Sequence, residues 1–460
     1  MEEKEEKNLQ IRERESRRSG VWNDLRCEAG KSQKYRAERP YEIFLAELIS
    51  RSRVFDREAE AESRRRGDRI GKPIDGRGKL ETMVSKIAGM TGTPDVKIRR
   101  KAVAVMCGDH GVVAEGVTQT GQEVTALVAE HIAGGTSAVC LMARAAGADV
   151  FAADLGIACE FSSEWNSMAR ESVLSAGSED SFAYVKKERP RGPERSRGLV
   201  KEGCGTADFA DESFDHKKFI LSPSGRLAPG KIAGKKVSKG TENMMRKPAM
   251  TREQAALAVC RGVETAVELA QMGYDIIVTG EMGIGNTTAA SAAACCICGL
   301  TPEEAVGRGA GLSKEGLMRK TGAVRGALSL HRPNAEDALD VLSKVGGYDI
   351  AGMTGLFLGG AVCGIPVVVD GVISAVSAAL AWRLCPDCRE FMLASHLGKE
   401  PAMKPLLDML CLSPVICADL ALGEGTGGTA LLPLLDMALC VYKENVTFED
   451  IHMDAYERMK

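Results

Sequence analysis

The chain has few aromatic residues, little net charge and no long apolar run, and each shortage argues against a class of function. Aromatic residues make up 5% of the 460 positions, so a stacking platform for single-stranded nucleic acid is poorly supported. The formal net charge of −3 gives no overall attraction to nucleic acid or to an anionic membrane. No uninterrupted apolar run reaches the roughly 18 residues of a membrane helix. We therefore expect a small-molecule partner, and neither nucleic acid nor membrane.

Recognised export and metal-binding patterns are missing as well. The N-terminus opens MEEKEEKNLQ, without the apolar core of a secretory signal, so we expect a cytoplasmic protein whose 15 cysteines are reduced. Cys385 and Cys388 form a lone CxxC without the second ligand pair that a zinc site needs. His110 and His396 have no HxH or HExxH partner. The sequence therefore predicts no metal site.

Two charged stretches interrupt an otherwise ordinary globular composition. Twelve of the first 20 residues are charged, which predicts a solvated, disordered tail over 1–40. Residues 162–239 contain KKERPRGPERSR and many Gly and Ser, and they sustain neither a helical nor a strand period. We expect this second stretch to be an insertion that loops over the surface, in preference to a basic docking patch.

Elsewhere short apolar runs alternate with helical patterns. Strands are predicted at 102–107, 148–154, 275–279 and 364–369, and helices at 124–145 and 287–299. This alternation predicts an α/β fold with a mostly parallel sheet and flanking helices. Chemistry in such folds gathers just beyond the carboxyl ends of the strands. The acidic residues at these predicted ends are Asp109, Asp154, Glu281 and Asp370.

The richest local pattern is the segment TGEMGIGNTT, which follows the third predicted strand. Gly283 and Gly285 let the backbone approach a ligand, and a helix beginning near Asn286 would direct free amide groups at an anion. Asn286, Thr287 or Thr288 would cap this helix and bond phosphate oxygens. A phosphate site is favoured over a plain strand-to-helix turn. Thr288 replaces the third glycine of GxGxxG and no P-loop Lys-Ser/Thr is present, so neither NAD nor ATP, nor any other cofactor, is predicted.

Two further glycine-rich loops carry charged residues. Gly309 lies in GRGAG, ahead of a predicted helix that contains Lys320, and a glycine-rich backbone beside a cation suits a phosphorylated ligand. Glu424 lies between glycines in LGEGTGG, at the start of an apolar helix. Desolvation there would raise its pKa toward the range useful for a general base. The competing interpretation is that Glu424 only caps or precedes the positive end of the helix, and the residues alone do not decide between the two.

Together and in order, these segments resemble the nicotinate-nucleotide–dimethylbenzimidazole phosphoribosyltransferase family, the enzymes of the cobalamin lower ligand. The resemblance runs from about Gly71 to Val446, apart from the insertion. The segments that carry it include GDHGVVAEG, EVT, GEMGIGNTT, VGRG, DVLSKVGG, IAGMTG, ASH and LGEGTG. It implies a Rossmann-like sheet in 101–400, a small helical domain built from 41–100 and 401–460, and a homodimer.

The resemblance also implies a reaction and roles for particular residues. The family moves the phosphoribosyl group of nicotinate mononucleotide onto 5,6-dimethylbenzimidazole, giving α-ribazole 5′-phosphate and nicotinate. Glu424 would remove the proton from the attacking base, and Glu281 and Lys320 match two further active-site positions. The other residues expected to bind substrate, beside those of the glycine turn, are Gly309, Asp370, Thr120, Val128 and Leu422, the last three near the aromatic base.

The chain departs from the family pattern at four positions. Asp75 and Arg77 introduce charge into a segment that is normally neutral, Gly121 stands in place of a proline, and Gly398 stands where a family member has serine. Two alternatives stay open: the same chemistry on another lower-ligand base, and an inactive nucleotide-binding regulator. The retained glutamates and lysine argue against the regulator, because a pure binder needs no base.

Overall fold

The computed structural model describes residues 39–162 and 227–458, and at its centre lies a six-stranded sheet. The strands are β1 (Lys101–Gly108), β2 (Ala148–Gly156), β3 (Ile232–Gly234), β4 (Ile276–Met282), β5 (Val367–Val369) and β6 (Met392–Ala394). Neighbouring strands are parallel throughout, in the order β3-β2-β1-β4-β5-β6. This is the Rossmann-like order, so the predicted α/β fold with a parallel sheet is confirmed.

Helices flank this sheet and connect its strands. Those of the described residues are α1 (Pro40–Ile49), α2 (Arg57–Arg69), α3 (Lys79–Thr91), α4 (Glu123–Ala133), α5 (Ala138–Ala146), α6 (Arg252–Gln271), α7 (Asn286–Cys298), α8 (Pro302–Ala305), α9 (Lys314–His331), α10 (Ala338–Val345), α11 (Tyr348–Cys363), α12 (Val372–Leu384), α13 (Met403–Met409) and α14 (Thr426–Glu444). Strand β1 is buried along its whole length, as expected for a central strand covered on both faces.

The helix predicted at 124–145 is two helices in the structure. Helix α4 ends at Ala133 and α5 begins at Ala138, because the intervening Gly-Gly-Thr-Ser favours a turn. Among the described residues, the segment Glu123–Ala146 is long and apolar enough to cross a membrane by length and composition alone. Both of its helices pack against β2, so their buried faces belong to the core around the sheet.

The predicted insertion returns to the sheet earlier than the sequence suggested. Residues 163–226 lie outside the described residues, and their position on the surface stays a prediction. From residue 227 the chain is described, and Ile232–Gly234 forms edge strand β3 on β2, which corrects the predicted end at 239. Lys235, which follows β3, is fully buried between Glu264 at 3.4 Å and Glu268 at 2.7 Å. A three-residue strand beside a buried lysine is too short and too polar to stand out as a sequence pattern.

The two ends of the described chain lie side by side. Ile70 forms an antiparallel bridge with Thr447, and the Gly71 N–H donates to the Val446 carbonyl at 2.9 Å. Helices α3 and α14 also pack together. These contacts suit a helical part built from both chain ends, although the division into domains remains a prediction. Of the predicted tail, all but the last two residues lie outside the described residues.

Candidate active site

The winding of the sheet reverses between β1 and β4, and a cavity lies at the carboxyl ends of β4, β5 and β6. Its volume is about 290 Å³, close to the lower limit of roughly 300 Å³ for small-molecule sites. Glu281 at the end of β4, Asp370 after β5 and His396 after β6 line it, together with Glu424 just before α14. Ligands of parallel α/β sheets bind at this edge, beside the point where the winding reverses.

The glycine turn after β4 brings the start of helix α7 to the cavity. Gly285 is the N-cap of α7 with φ 99°, a conformation that favours glycine. Gly283, Asn286 and Thr287 line the cavity. No side chain caps α7, contrary to the prediction, because the Asn286 amide donates to two carboxylates and the Thr287 hydroxyl accepts from Lys320. The positive end of α7 is therefore directed at the cavity without a side-chain cap, which suits an anionic ligand.

Lys320 joins the two loops in which the sequence predicted phosphate binding. Its side chain is fully buried, and Nζ donates to Thr287 Oγ1 at 2.9 Å and to the Gly307 carbonyl at 3.1 Å. Burial lowers the pKa of Lys320 to about 8, against the opposing effect of Glu400. The Gly309 N–H already donates to Glu400 Oε1 at 3.0 Å. Lys320 and the start of α7, rather than the Gly309 amide, are thus the groups that suit an anion.

The turn around Glu424 has an unusual backbone. Gly423, Glu424 and Gly425 have φ angles of 87°, 60° and 92°, and only the central residue carries a side chain. A Cβ atom at Gly423 would lie 2.6 Å from Glu281 Oε1, and one at Gly425 would lie 2.9 Å from Val103 Cγ1. Only glycine fits on either side, and the left-handed Glu424 costs about 1–3 kcal/mol. Strain of this kind is typical of functional sites.

Glu424 and Glu281 meet at the floor of the cavity. The Glu424 N–H donates weakly to Glu281 Oε1 at 3.4 Å, and Glu424 Oε2 is buried without a hydrogen-bond partner among the described residues. Burial raises the pKa of Glu424, and it raises the pKa of Glu281 well above its ordinary value. Gly425 is the N-cap of α14 and no side chain caps that helix, whereas a backbone hydrogen bond from Val139 of α5 opposes the rise in the pKa of Glu424.

Asp370 and His396 form a second acid–base pair of the lining. Asp370 Oδ1 accepts the Gly428 N–H of α14 at 2.7 Å, and burial raises the pKa of this carboxyl against the effect of His396. The Ser395 hydroxyl donates to the Val369 carbonyl at 2.7 Å and lies 2.9 Å from His396 Nδ1. This arrangement assigns the ring proton to Nδ1 and makes Nε2 an acceptor. Burial lowers the pKa of His396, which favours that neutral ring.

Most of the predicted site residues meet at this cavity. Those that line it are Glu424, Glu281, Gly283, Asn286, Thr287, Gly309, Asp370, Val128 and Leu422. Lys320 reaches its edge through Thr287. Gly285 lies behind the lining, against His110 and Val113. Thr120 is exposed and does not line the cavity, so the structure does not place it with Val128 and Leu422.

The four departures from the family pattern fall in different places. Gly398 lines the cavity beside His396, whereas Asp75, Arg77 and Gly121 do not. Asp75 pairs with Arg458 at 2.8 Å, and Arg77 donates to a carbonyl of α14 at 2.6 Å. The charged departures therefore belong to the junction of the chain ends.

Three functional candidates escaped the sequence argument. Glu400 and His396 line the cavity, and Asp349 lies behind it, bonded to Asn286 at 3.1 Å. The sequence shows no metal-binding partner for His396 and indicates no other role for it, although its segment ASH belongs to the resemblance. Asp349 directly precedes the resembling segment IAGMTG, and this position was the available signal.

Comparison with known proteins identifies the family of the chain. The model of a family described as Phosphoribosyltransferase matches residues 53–452, so the class of protein is a phosphoribosyltransferase. Nicotinate-nucleotide–dimethylbenzimidazole phosphoribosyltransferase of Acetivibrio thermocellus is 35% identical over 393 residues, covering 85% of this chain and 93% of the relative. The Escherichia coli protein of that name is 33% identical, covering 86% and 93%. A crystal structure of the Thermus thermophilus protein of that name aligns with TM-score 0.68 and 32% identity, over 87% of this chain and 99% of that one. The chain belongs to the nicotinate-nucleotide–dimethylbenzimidazole phosphoribosyltransferase family.

Proposed function

We propose that this chain transfers the phosphoribosyl group of nicotinate mononucleotide to 5,6-dimethylbenzimidazole, giving α-ribazole 5′-phosphate and nicotinate for the lower ligand of cobalamin. The activity named for its relatives supports the reaction. One observation on this chain carries it: Glu424, with a buried and unpartnered carboxylate oxygen, lines the same cavity as the start of α7. A base and an anion site on one cavity are what this transfer needs.

Glu424 is the proposed general base. The unprotonated nitrogen of the benzimidazole attacks C1′ of the ribose, and the C1′–N bond to nicotinate breaks with its electron pair leaving on the pyridine nitrogen. The other benzimidazole nitrogen then carries a proton that must be lost, and the Glu424 carboxylate accepts it. Because burial raises the pKa of Glu424, this carboxylate is a stronger base than an exposed glutamate.

Glu281 is proposed to face the positive charge that develops on the ribose. Its burial favours the neutral carboxyl before the nucleotide binds, since the pKa lies well above its ordinary value. The cationic pyridinium of bound nicotinate mononucleotide would favour the ionised form instead. A carboxylate held against the sugar then stabilises an oxocarbenium-like transition state more than the ground state.

The acceptor base needs an apolar surface, and three apolar side chains of the cavity lining are candidates to supply it. Val128 of α4, Ile373 of α12 and Leu422 line the cavity, and Leu422 is 57% exposed. Burial of this leucine under an aromatic ring would remove apolar surface from water. These apolar side chains support a benzimidazole as acceptor, and Thr120 lies outside the lining.

The reaction itself is tested by incubating the protein with nicotinate mononucleotide and one acceptor at a time. We expect α-ribazole 5′-phosphate by mass with dimethylbenzimidazole, together with an equal amount of nicotinate. Faster nicotinate release with adenine or a phenol would replace the proposed acceptor. No release with any acceptor, while the nucleotide still binds, would favour the nucleotide-binding regulator instead.

Substitution Glu424→Gln removes the base without changing the size of the side chain. We expect kcat to fall by about 10²- to 10⁴-fold while the Kd for nicotinate mononucleotide stays unchanged. Because burial raises the pKa of Glu424, the wild-type kcat/KM should increase with pH around an apparent pKa above 4.5. The variant should lack this increase. The exposed Glu303→Gln serves as control. A Glu424→Gln enzyme with the wild-type kcat would remove Glu424 from its role.

Binding of the nucleotide should weaken in alkali because Lys320 loses its proton. Below its pKa of about 8 the lysine is charged, and as pH rises through that value the charged fraction available to the phosphate falls. We expect the Kd for nicotinate mononucleotide to rise by up to about tenfold per pH unit above that point. The neutral variant Lys320→Met should bind weakly at every pH, and the wild-type curve should converge on it. A constant gap between the two curves would contradict the assignment.

We also propose that the chain is cytoplasmic and that it works as a homodimer, the second of which the resemblance implies. Leu141 on α5 and Met437 on α14 are 54% and 57% exposed on helices that pack together. Apolar side chains exposed on adjacent elements favour a protein partner. Light scattering should give twice the mass of one chain, and Leu141→Asp should lower it. A wild-type mass equal to that of a single chain would contradict the dimer.

A further inference from the structure

His110 and Asp349 form a buried pair that the proposed reaction has not used. His110 follows β1, and Asp349 is the second residue of α11. His110 Nε2 lies 2.9 Å from Asp349 Oδ1, and the side chains are 1% and 0% exposed. Neither residue lines the cavity. The pair lies directly behind the glycine turn after β4.

Glycines enclose this pair on three sides. A Cβ atom at Gly347 would overlap the His110 ring, one at Gly283 would lie 2.9 Å from Asp349 Oδ2, and one at Gly285 would lie 3.0 Å from His110 Cβ. Any larger residue at Gly347 would displace the ring. The close approach of these two backbone segments, the turn after β4 and the start of α11, therefore restricts the positions of both side chains.

Hydrogen bonds connect the pair to the cavity through Asn286. Asp349 Oδ1 also accepts the Ile350 N–H at 2.8 Å, and Oδ2 accepts from Asn286 Nδ2 at 3.1 Å. The same Nδ2 donates to Glu281 Oε2. An amide nitrogen has two hydrogens, so one is directed to each carboxylate and the orientation of Asn286 is fixed. This connection is continuous from His110 to Glu281.

We propose that His110 and Asp349 are positioning residues for the transfer, which hold Glu281 against the ribose through Asn286. The inference rests on the proposed function. Without Asp349 the Asn286 amide loses the acceptor that sets its orientation, and Glu281 loses its fixed donor. Because Glu281 acts on charge that develops in the transition state, the loss falls on kcat rather than on nucleotide affinity.

The isosteric substitution Asp349→Asn breaks the connection without changing volume. In the wild type, Asp349 Oδ1 accepts from His110 and Ile350, and Oδ2 accepts from Asn286. An asparagine at this position has an NH₂ group in place of one of these oxygens, so in either orientation one N–H would face another N–H. We expect kcat for nicotinate release to fall by about 100-fold with the Kd for nicotinate mononucleotide unchanged. His110→Ala should act in the same direction. His110→Gln, which keeps a donor near the Nε2 position, should recover most of the rate.

Asp154→Asn is the matched control. This buried carboxylate lies near the end of the neighbouring strand β2, accepts the Ile157 N–H at 2.8 Å, pairs with Lys236 at 3.0 Å, and does not line the cavity. The same substitution there should lower thermal stability and keep kcat. Comparing the melting temperature and kcat of Asp154→Asn with those of Asp349→Asn distinguishes general destabilisation from displacement of the Glu281 side chain.

A double-mutant cycle with Glu281→Gln provides the decisive readout. If the pair acts through Glu281, Asp349→Asn should have little further effect on kcat in that background. Full additivity, or a wild-type kcat in Asp349→Asn, overturns the positioning role while leaving the proposed function intact. If Asp349→Asn does not fold, equal kcat values for His110→Ala and His110→Gln overturn it instead. A wild-type protein that releases no nicotinate overturns both.

Discussion

The contact between the Glu424 turn and the end of β4 is the constraint on which the rest of the site depends. A Cβ atom at Gly280 would overlap the Glu424 carbonyl, so strand and turn meet backbone to backbone. This close approach brings Glu424 to Glu281 although 143 positions separate them in the chain. It also requires the left-handed conformation of Glu424 between two glycines. The backbone of Glu424, the proposed base, is thus held in a defined place by main chain on both sides.

Topology explains why so much of the site could be predicted from sequence. The carboxyl ends of parallel strands meet at one edge, so acidic residues after separate apolar runs converge there. Glu281 and Asp370 follow this rule and line the cavity, whereas Asp109, just after β1, and Asp154, near the end of β2, lie outside it. The pattern therefore identified the edge of the sheet. It did not identify which strand ends open onto the ligand.

What the sequence left undetermined depends on contacts between distant segments. Glu400 reaches the Gly309 amide and Asp349 reaches Asn286, yet both acids lie outside the segments that carry the resemblance, Asp349 by one position. The turn-forming residues between α4 and α5 are visible in the sequence and indicate a break. The apolar residues on both sides nevertheless favour one continuous helix. Thr120 was assigned by resemblance alone, and its exposed position reflects the loop around it.

The way the chain leaves and rejoins the sheet edge has a consequence for engineering. Val237 and Gly240 donate backbone hydrogen bonds to Leu155 and Gly156, so the returning stretch of chain runs beside the departing one. Both anchors lie within the described ranges 39–162 and 227–458. A folded reporter protein with neighbouring termini could therefore be inserted between residues 162 and 227 without separating β3 from β2. The reporter would then lie at the β3 edge of the sheet, away from the cavity.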